Sequence, residues 1–165
     1  MIDIQNQKDE RNIDIQRVGV KGLKYPIVVL DRAHGTQPVN ATINMYVSLL
    51  RNFKGTHMSR FVEVLNEIRE QVNIQTFHSI LEKIRKKLHA ESAHIEIEFP
   101  YFIEKSAPRS GAKSLMEYRC RFLGTSDASG MDFIVGTEVP VTTVCPCSKE
   151  ISRSGAHNQR SIVTV

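Results

Sequence analysis

The most regular feature of the chain is the strict alternation of apolar and polar residues from Val39 to Leu49. A period of two places one set of side chains on a buried face, so this segment is predicted to be a half-buried β-strand. The apolar run Tyr25–Asp31 precedes it, with Gly35 in the turn between them, and the two segments predict a hairpin. Alternation returns in three later segments, which predict three further strands. Their apolar positions are Ile95, Ile97 and Phe99; Met116, Tyr118, Cys120 and Phe122; and Phe133, Val135, Thr137 and Val139.

Between the second and third predicted strands, apolar residues recur every three or four positions, which is the period of a helix. Thr56 and Thr76 precede the two helical segments and are candidate N-caps. Because each helix has one apolar stripe to bury, both are predicted to cover the sheet. The element order therefore predicts an α+β fold, an antiparallel sheet with two helices packed on one face. The stripes are Met58, Phe61, Val62, Leu65, Ile68 and Val72 in the first helix, and Phe77, Ile80, Leu81, Ile84 and Leu88 in the second.

Composition narrows the class of protein. With 165 residues, of which 41% are hydrophobic and 24% charged, the chain has the size and balance of one globular domain. It contains no run of about 18 apolar residues, so neither a membrane-spanning helix nor a membrane partner is expected. The polar, acidic N-terminus is unlike a signal peptide, and three cysteines form no disulfide framework, so a cytoplasmic location is expected.

The net charge of +4 is small for a nucleic-acid-binding protein. The main local concentration of basic residues, in the range 83–87, falls on the second predicted helix and is interpreted as a solvated face. Tryptophan is absent, and no basic strand with interleaved aromatic residues occurs. No nucleic-acid partner is therefore expected.

The segment from Cys145 to Ser161 carries the strongest chemical signal. Cys145 and Cys147 are followed by His157, ten residues beyond the second cysteine. Thiolate and imidazole together suit zinc or iron(II), and an incomplete set of protein ligands leaves a coordination position for water. The spacing of Cys145 and Cys147 is equally compatible with two small buried side chains that bind no metal. Cys120 lies on the apolar side of its strand and is interpreted as a core residue. The surrounding residues, whose charges and amides suit a phosphate-bearing substrate, are Lys149, Arg153, Gln159 and Arg160.

The same segment closely resembles the signature of the type IB GTP cyclohydrolases. The words that carry the resemblance are Cys-Pro-Cys-Ser-Lys-Glu-Ile-Ser (145–152) and Gly-Ala-His-Asn-Gln-Arg-Ser (155–161). Five further motifs are similar to that family and follow its order, so the resemblance spans nearly the whole chain. These motifs are Asp9–Ile13, Val18–Lys21, Tyr25–Val29, Gly55–Phe61 and Ser106–Gly111.

The resemblance implies the tunnelling fold, in which the sheets of several protomers join edge to edge into a barrel. Such joining pairs the backbone groups at the edges of an antiparallel sheet. Comparison with the family divides the chain into an extended arm (1–14), a first tunnelling-fold module (15–139), and a metal- and substrate-binding segment that begins a second module (140–165). Because the chain ends within the alternating run Ile162–Val165, it is expected to be an N-terminal portion of a longer protein.

The resemblance further implies conversion of GTP to 7,8-dihydroneopterin triphosphate and formate, the first step of folate and pterin biosynthesis. A divalent metal (zinc, iron(II) or manganese) would activate water for addition to the guanine ring. Cys145 and His157 are the implied ligands, and a histidine also suits the general acid of ring opening. Cys147 and His157 are the expected catalytic residues, with Cys147 beside the metal or as an alternative ligand. The family's carboxylate ligand and guanine-binding acid are expected beyond Val165.

Two groups of residues are expected to bind GTP, in a homotetramer whose sites lie between subunits. One group shares the segment of the candidate metal ligands. The other lies where a strand gives way to a helix, whose N-terminus attracts anions, although a capped helix start with a solvated arginine is the alternative. The first group comprises Lys149, Gln159 and Arg160, and the second His57, Ser59 and Arg60.

Three other functions stay open at this point. The first is that of an archaeal-type relative, which uses iron(II) and yields a cyclic phosphate product. No residue of this chain separates that function from the one given above. The tunnelling-fold nitrile reductase of queuosine synthesis uses a nucleophilic cysteine without a metal, but the words at 155–160 are unlike it. A non-catalytic fragment that only assembles through its sheet edges is the remaining alternative.

Overall fold

The computed structural model describes residue 10 and residues 13–68, 72–74 and 76–165. Within these residues, the chain forms strands, two longer helices and one short helix. In chain order they are β1 (Ile15–Asp31), β2 (Gly35–Leu49), α1 (Met58–Ile68), α2 (Phe77–Leu88), β3 (Ala93–Ser106), β4 (Lys113–Asp127), β5 (Gly130–Val144), α3 (Pro146–Ile151) and β6 (Asn158–Thr164).

The strands form one six-stranded sheet in the order β1–β2–β3–β4–β5–β6. Antiparallel pairing joins β1 to β2, β2 to β3 and β5 to β6. Short turns at 107–112 and 128–129 connect the remaining neighbours, and such turns join antiparallel strands. The predicted α+β class is confirmed, and the architecture is consistent with a tunnelling fold.

Strand β1 begins at Ile15, ten residues before the predicted start at Tyr25. The prediction was wrong here because the first half of β1 has no deeply buried face and so lacks apolar alternation. Its pairing with β2 is also irregular, with a register shift between Val20 and Leu23. Gly22 lies at that shift with φ +72°, a conformation that favours glycine, and its N–H donates to Asn44 Oδ1 at 2.7 Å.

The described residues form two compact units. The first contains those up to Phe99 together with Arg121–Val135, and the second contains Pro100–Cys120 and Gly136–Val165. The predicted division into modules at residue 140 stays a prediction. The predicted N-terminal arm falls mostly outside the described residues, since 1–9 and 11–12 are not among them.

The first unit holds the apolar core. Every second residue of β2 from Val39 to Leu49 is buried, as the alternation predicted, and so are Ile95, Ile97 and Phe99 of β3. All five predicted stripe residues of α2 are buried. Phe77 of α2 packs against Phe133 with ring centroids 4.5 Å apart, so α2 covers the sheet as predicted.

Helix α1 differs in detail from its predicted stripe. Val62 is 41% exposed, and Val64 is buried in its place, because burial follows the spacing 61, 64, 65, 68. Val72 is buried but lies beyond the end of the helix. Thr76 occupies the N-cap position of α2 without a side-chain capping bond, since its backbone is already helical. Its N–H donates instead to Asn73 Oδ1 at 3.0 Å.

The basic residues of α2 are only partly a solvated face. Lys83 and Lys86 are exposed, as interpreted. Arg85 is half-buried, and its Nη1 donates to Ser126 Oγ at 3.1 Å and to Asp127 O at 3.2 Å. These bonds tie α2 to the end of β4, so the Arg85 guanidinium is hydrogen-bonded within the protein.

At Gly124, strand β4 approaches helix α2 closely. A Cβ atom added there would lie 2.2 Å from Phe77 Cε1 and 2.9 Å from Leu81 Cδ1, both of buried side chains. We therefore expect Gly124→Ala to lower the free energy of unfolding by about 1–3 kcal/mol, the usual cost of overpacking a core. Urea denaturation followed by circular dichroism measures the change.

Arg121→Ala is the matched control for this prediction, because Arg121 is an exposed residue of the same strand. In a Phe77→Leu background, the added methyl group should cost less, since the clashing ring is gone. An equal cost in both backgrounds would contradict the proposed contact.

Candidate functional site

The candidate site lies in the second unit, where β5 and β6 pair antiparallel. The last pair in the register is Val144 with Asn158. One step further along, the backbone N–H of Cys145 donates to His157 O at 3.3 Å. The strand pairing therefore holds the candidate ligands Cys145 and His157 opposite each other, at the two ends of the connection that contains α3.

The start of α3 follows from the local sequence. Proline is favoured at the first helical position because it needs no hydrogen bond there, and Pro146 occupies it. Cys145 is the N-cap, with an extended backbone, and its carbonyl oxygen accepts a bond from Lys149 N–H at 3.1 Å. The Cys145 side chain thus lies at the first turn of the helix, where backbone N–H groups lack partners within the helix.

These N–H groups favour the charged form of Cys145. The backbone N–H of Ser148 and then its hydroxyl lower the pKa of the Cys145 thiol. Desolvation opposes them, and the N–H and thiol of Cys147 add to the lowering. A thiolate is the form of cysteine that binds metals and acts as a nucleophile, so this sulfur is prepared for either role.

Ser148 also contacts the second candidate ligand. Its hydroxyl oxygen accepts a hydrogen bond from His157 N–H at 3.3 Å. The His157 side chain is exposed, with Nδ1 3.5 Å from Asn158 O. Sequence reasoning missed Ser148. The signal available was Pro146, which marks a helix start and places residue 148 in the first turn.

The remaining sequence-predicted residues of this segment are exposed. Lys149 lies in α3 and is tied to Cys145 through its backbone. Gln159 and Arg160 are successive residues of β6, so their side chains point to opposite faces of the sheet. Arg160 lines an open groove with residues of β4, β5 and β6. The other lining residues are Met116, Pro140, Val141, Thr142, Ser161 and Ile162.

The second predicted group lies in the first unit, at the start of α1. His57 and Arg60 line a pocket that also contains Thr56, Leu88 and His89, whereas Ser59 is exposed. Arg60 Nη1 donates to Lys87 O at 3.2 Å, near the C-terminal end of α2. Arg60 therefore joins the two helices, which is a structural role beside the predicted contact with GTP. The binding role of this group stays a prediction.

A complete metal site is not found in the described part of the chain. No group of three or more His, Cys, Asp or Glu side chains there is arranged to hold a metal. Cys145 and His157 supply a soft sulfur and an imidazole nitrogen. These two ligands suit zinc and iron(II) better than manganese, but they exclude none of the three metals. The chemistry of these two residues fits two positions of a metal site. In the same residues, no helix has the length and apolarity to span a membrane.

The six-stranded sheet and its helices define an α+β protein whose architecture is consistent with a tunnelling fold. A family model described as "Type I GTP cyclohydrolase folE2" matches residues 1–165, and the chain belongs to that family. The GTP cyclohydrolase FolE2 of Syntrophus aciditrophicus is 72% identical over 165 residues, which are 100% of this chain and 65% of that protein. That of Geobacter sulfurreducens is 58% identical, over 100% of this chain and 64% of that protein.

A third relative is the GTP cyclohydrolase FolE2 of Geotalea uraniireducens, 58% identical over all of this chain and 60% of that protein. The chain therefore spans between 60% and 65% of the length of these curated relatives. The family resemblance inferred from the motifs is confirmed.

Ser148→Ala should raise the pKa of the Cys145 thiol, because the variant removes the hydroxyl that stabilises the thiolate. The pH at which Cys145 reaches half its maximal rate of alkylation should shift upward. Iodoacetamide labelling of metal-free protein across a range of pH values measures this shift. Labelling is best done in a Cys147→Ser background and followed by peptide mass analysis.

Ser152→Ala is the control, since the Ser152 hydroxyl accepts from Ser154 N–H at 3.3 Å in the same segment. The control should leave the alkylation profile of Cys145 unchanged. An unchanged profile in Ser148→Ala would mean that the serine does not support the thiolate.

Proposed function

We propose that this chain provides the metal-binding thiolate and the phosphate-binding cations of a GTP cyclohydrolase. The full protein would convert GTP to 7,8-dihydroneopterin triphosphate and formate, which is the entry to folate and pterin synthesis. One observation carries the proposal: in a chain of this family, the backbone bond from Cys145 N–H to His157 O and the bond from His157 N–H to Ser148 of α3 bring Cys145 and His157 together.

The proposed metal is zinc, iron(II) or manganese. When bound, it supplies a Lewis acid that activates water near neutral pH. Cys145 would hold it through the sulfur, whose negative charge the first turn of α3 supports. His157 would hold it through a ring nitrogen. The Nδ1–Asn158 O approach favours the tautomer with hydrogen on Nδ1, which leaves Nε2 as the coordinating atom.

The cleavage itself also needs proton transfers that side chains can supply. Opening of the guanine imidazole ring requires a proton at the departing nitrogen. Cys147 lies two residues after Cys145 in the first turn of α3 and is exposed, so its thiol can exchange a proton with a substrate bound there. His157 could serve instead where another residue completes the metal ligands. Both residues thus keep the catalytic role proposed from the sequence.

The triphosphate of GTP would be bound by cationic side chains near the site. Lys149 lies on α3, four residues after Cys145, and Arg160 lies two positions after the residue that pairs with Val144. Ammonium and guanidinium groups form strong charge-assisted bonds with phosphate. Gln159 can donate to the ribose or base. His57, Ser59 and Arg60 would complete the binding of GTP from another subunit.

A site shared between subunits is the proposed arrangement, in a homotetramer. In the second unit, the exposed fractions of Val144, Ile151 and Ile162 are 54%, 87% and 67%. This apolar surface is available for contact with another subunit. In this proposal, a carboxylate would complete the metal ligands in addition to Cys145 and His157.

Elemental analysis of Cys145→Ala and His157→Ala tests the metal assignment. Both variants should lose nearly all the metal that the unsubstituted protein retains after dialysis, because each lacks one ligand. Cys120→Ala is the matched control, since Cys120 lies 3.6 Å from Thr137 Oγ1 and outside the proposed site. Full retention of metal in both ligand variants would contradict the assignment.

Formate release from GTP tests the activity. This chain should be assayed alone and joined to the part of the Syntrophus aciditrophicus relative that it does not match. We expect turnover in the joined protein and a loss of at least about 100-fold in Cys145→Ala or Cys147→Ala. Turnover that survives both substitutions would overturn the proposed function.

A further inference from the structure

One face of the sheet in the second unit carries the Cys145 side chain, and a side-chain contact identifies other residues of that face. Cys120 Sγ of β4 lies 3.6 Å from Thr137 Oγ1 of β5, so these two side chains share a face. Alternate residues of a strand point to the same face, and the extended backbone of Cys145 continues β5. Thr143 and Cys145 therefore lie on the face of Thr137.

The strand register extends this face to β6 and along β4. Thr143 pairs directly with Gln159 of β6, so their side chains lie side by side on the same face. The contact between Cys120 and Thr137 aligns β4 with β5. Counting six residues along each of these antiparallel strands places Ser114 opposite Thr143.

Lys105 of β3 completes a row of polar residues across the face. At the turn between β3 and β4, Ala107 N–H donates to Ala112 O at 2.9 Å, and two residues further from the turn Lys105 is opposite Ser114. Lys105 Nζ lies 5.9 Å from the centre of the Tyr118 ring, and Tyr118 shares the face of Ser114. The row therefore offers one ammonium, two hydroxyls and one amide, all on exposed residues. Its members are Lys105, Ser114, Thr143 and Gln159.

Face and charge distinguish Lys105 from other cations of these strands. The aromatic ring attracts the Lys105 ammonium without neutralising it, so the charge is available to an anion. Lys113 lies on the opposite face, where its Nζ is 2.8 Å from Glu104 Oε1. Arg160 also lies on the opposite face, one residue after Gln159, and would have to reach round β6, which ends the six-stranded sheet.

We propose that Lys105 binds the triphosphate of GTP, with the hydroxyl and amide groups of its row beside it. The inference rests on the proposed function, because it adds a residue to the substrate site assigned there. Lys105 lies two strands from Cys145, about 10 Å across the sheet and about 7 Å along it. An extended nucleoside triphosphate covers this distance with its base at the proposed metal ligands and its phosphates at Lys105, where the ammonium forms charge-assisted bonds.

Affinity labelling of this chain tests the inference without any assay of activity. The probe is GTP with an acyl group on its γ-phosphate, which reacts with a lysine beside the phosphates. The amine nitrogen bonds to the acyl carbon, the bond from that carbon to the phosphate oxygen breaks, GTP leaves, and a proton goes to solvent. Peptide mass analysis should find the acyl group on Lys105 and not on Lys113. An excess of unmodified GTP should prevent the labelling.

Binding affinity, measured by titration calorimetry, provides a second arm. Lys105→Gln should raise the Kd for GTP by about tenfold, because the variant removes a charged partner of the phosphates. The Kd for guanosine should not change, since guanosine carries no phosphate. Lys105→Arg should restore the affinity for GTP. Lys113→Gln is the matched control, with the same change of charge on the same hairpin but on the opposite face, and it should leave both Kd values unchanged.

The outcomes separate this inference from the proposed function. Labelling of Lys149 alone that GTP prevents, with unchanged affinity in Lys105→Gln, would overturn the role of Lys105 and leave the proposed function standing. An equal loss of affinity in Lys105→Gln and Lys113→Gln would indicate a general effect of surface charge and would also overturn the specific contact. Absence of GTP binding, with no lysine that GTP protects, would overturn both.

Discussion

The pairing of β5 with β6 is the constraint on which the candidate site depends. It brings the backbones of Cys145 and His157 together although eleven residues lie between them in sequence. Ser148, in the first turn of α3, accepts a hydrogen bond from the His157 N–H, and its own N–H and hydroxyl lower the pKa of the Cys145 thiol. A short helix that begins at Pro146 supplies the N–H groups that favour a thiolate. Strand register, helix start and one serine thus produce a single chemical arrangement.

The two units differ in how their apolar residues are buried. The first unit carries an apolar core, in which α2 packs on the sheet through Phe77 and Gly124. The second unit has many exposed apolar residues for its size and holds the proposed ligands. Contiguous exposed apolar surface commonly marks an interaction site.

Strands and helices that bury one face were predicted from the sequence. The prediction failed for the segment in which neither face is buried. The alternation in β2 and the helical spacing in α2 arise directly from burial, so both were found. The first half of β1 is exposed or half-buried and gave no pattern to detect. Cys145 and His157 were predicted from their chemistry and from the family motifs around them, and their role stays a prediction. Ser148 was missed because its role depends on turn geometry, which side-chain type alone does not specify.

X-ray absorption spectroscopy of the zinc-loaded protein tests the assignment of Cys145 and His157 as ligands, because it reports the atoms bound to the metal. We expect a sulfur neighbour at about 2.3 Å and an imidazole nitrogen at about 2.0–2.1 Å. The sulfur signal should disappear in Cys145→Ala and persist in Cys120→Ala. A coordination shell of nitrogen and oxygen alone in the unsubstituted protein would contradict the assignment of Cys145 as the ligand.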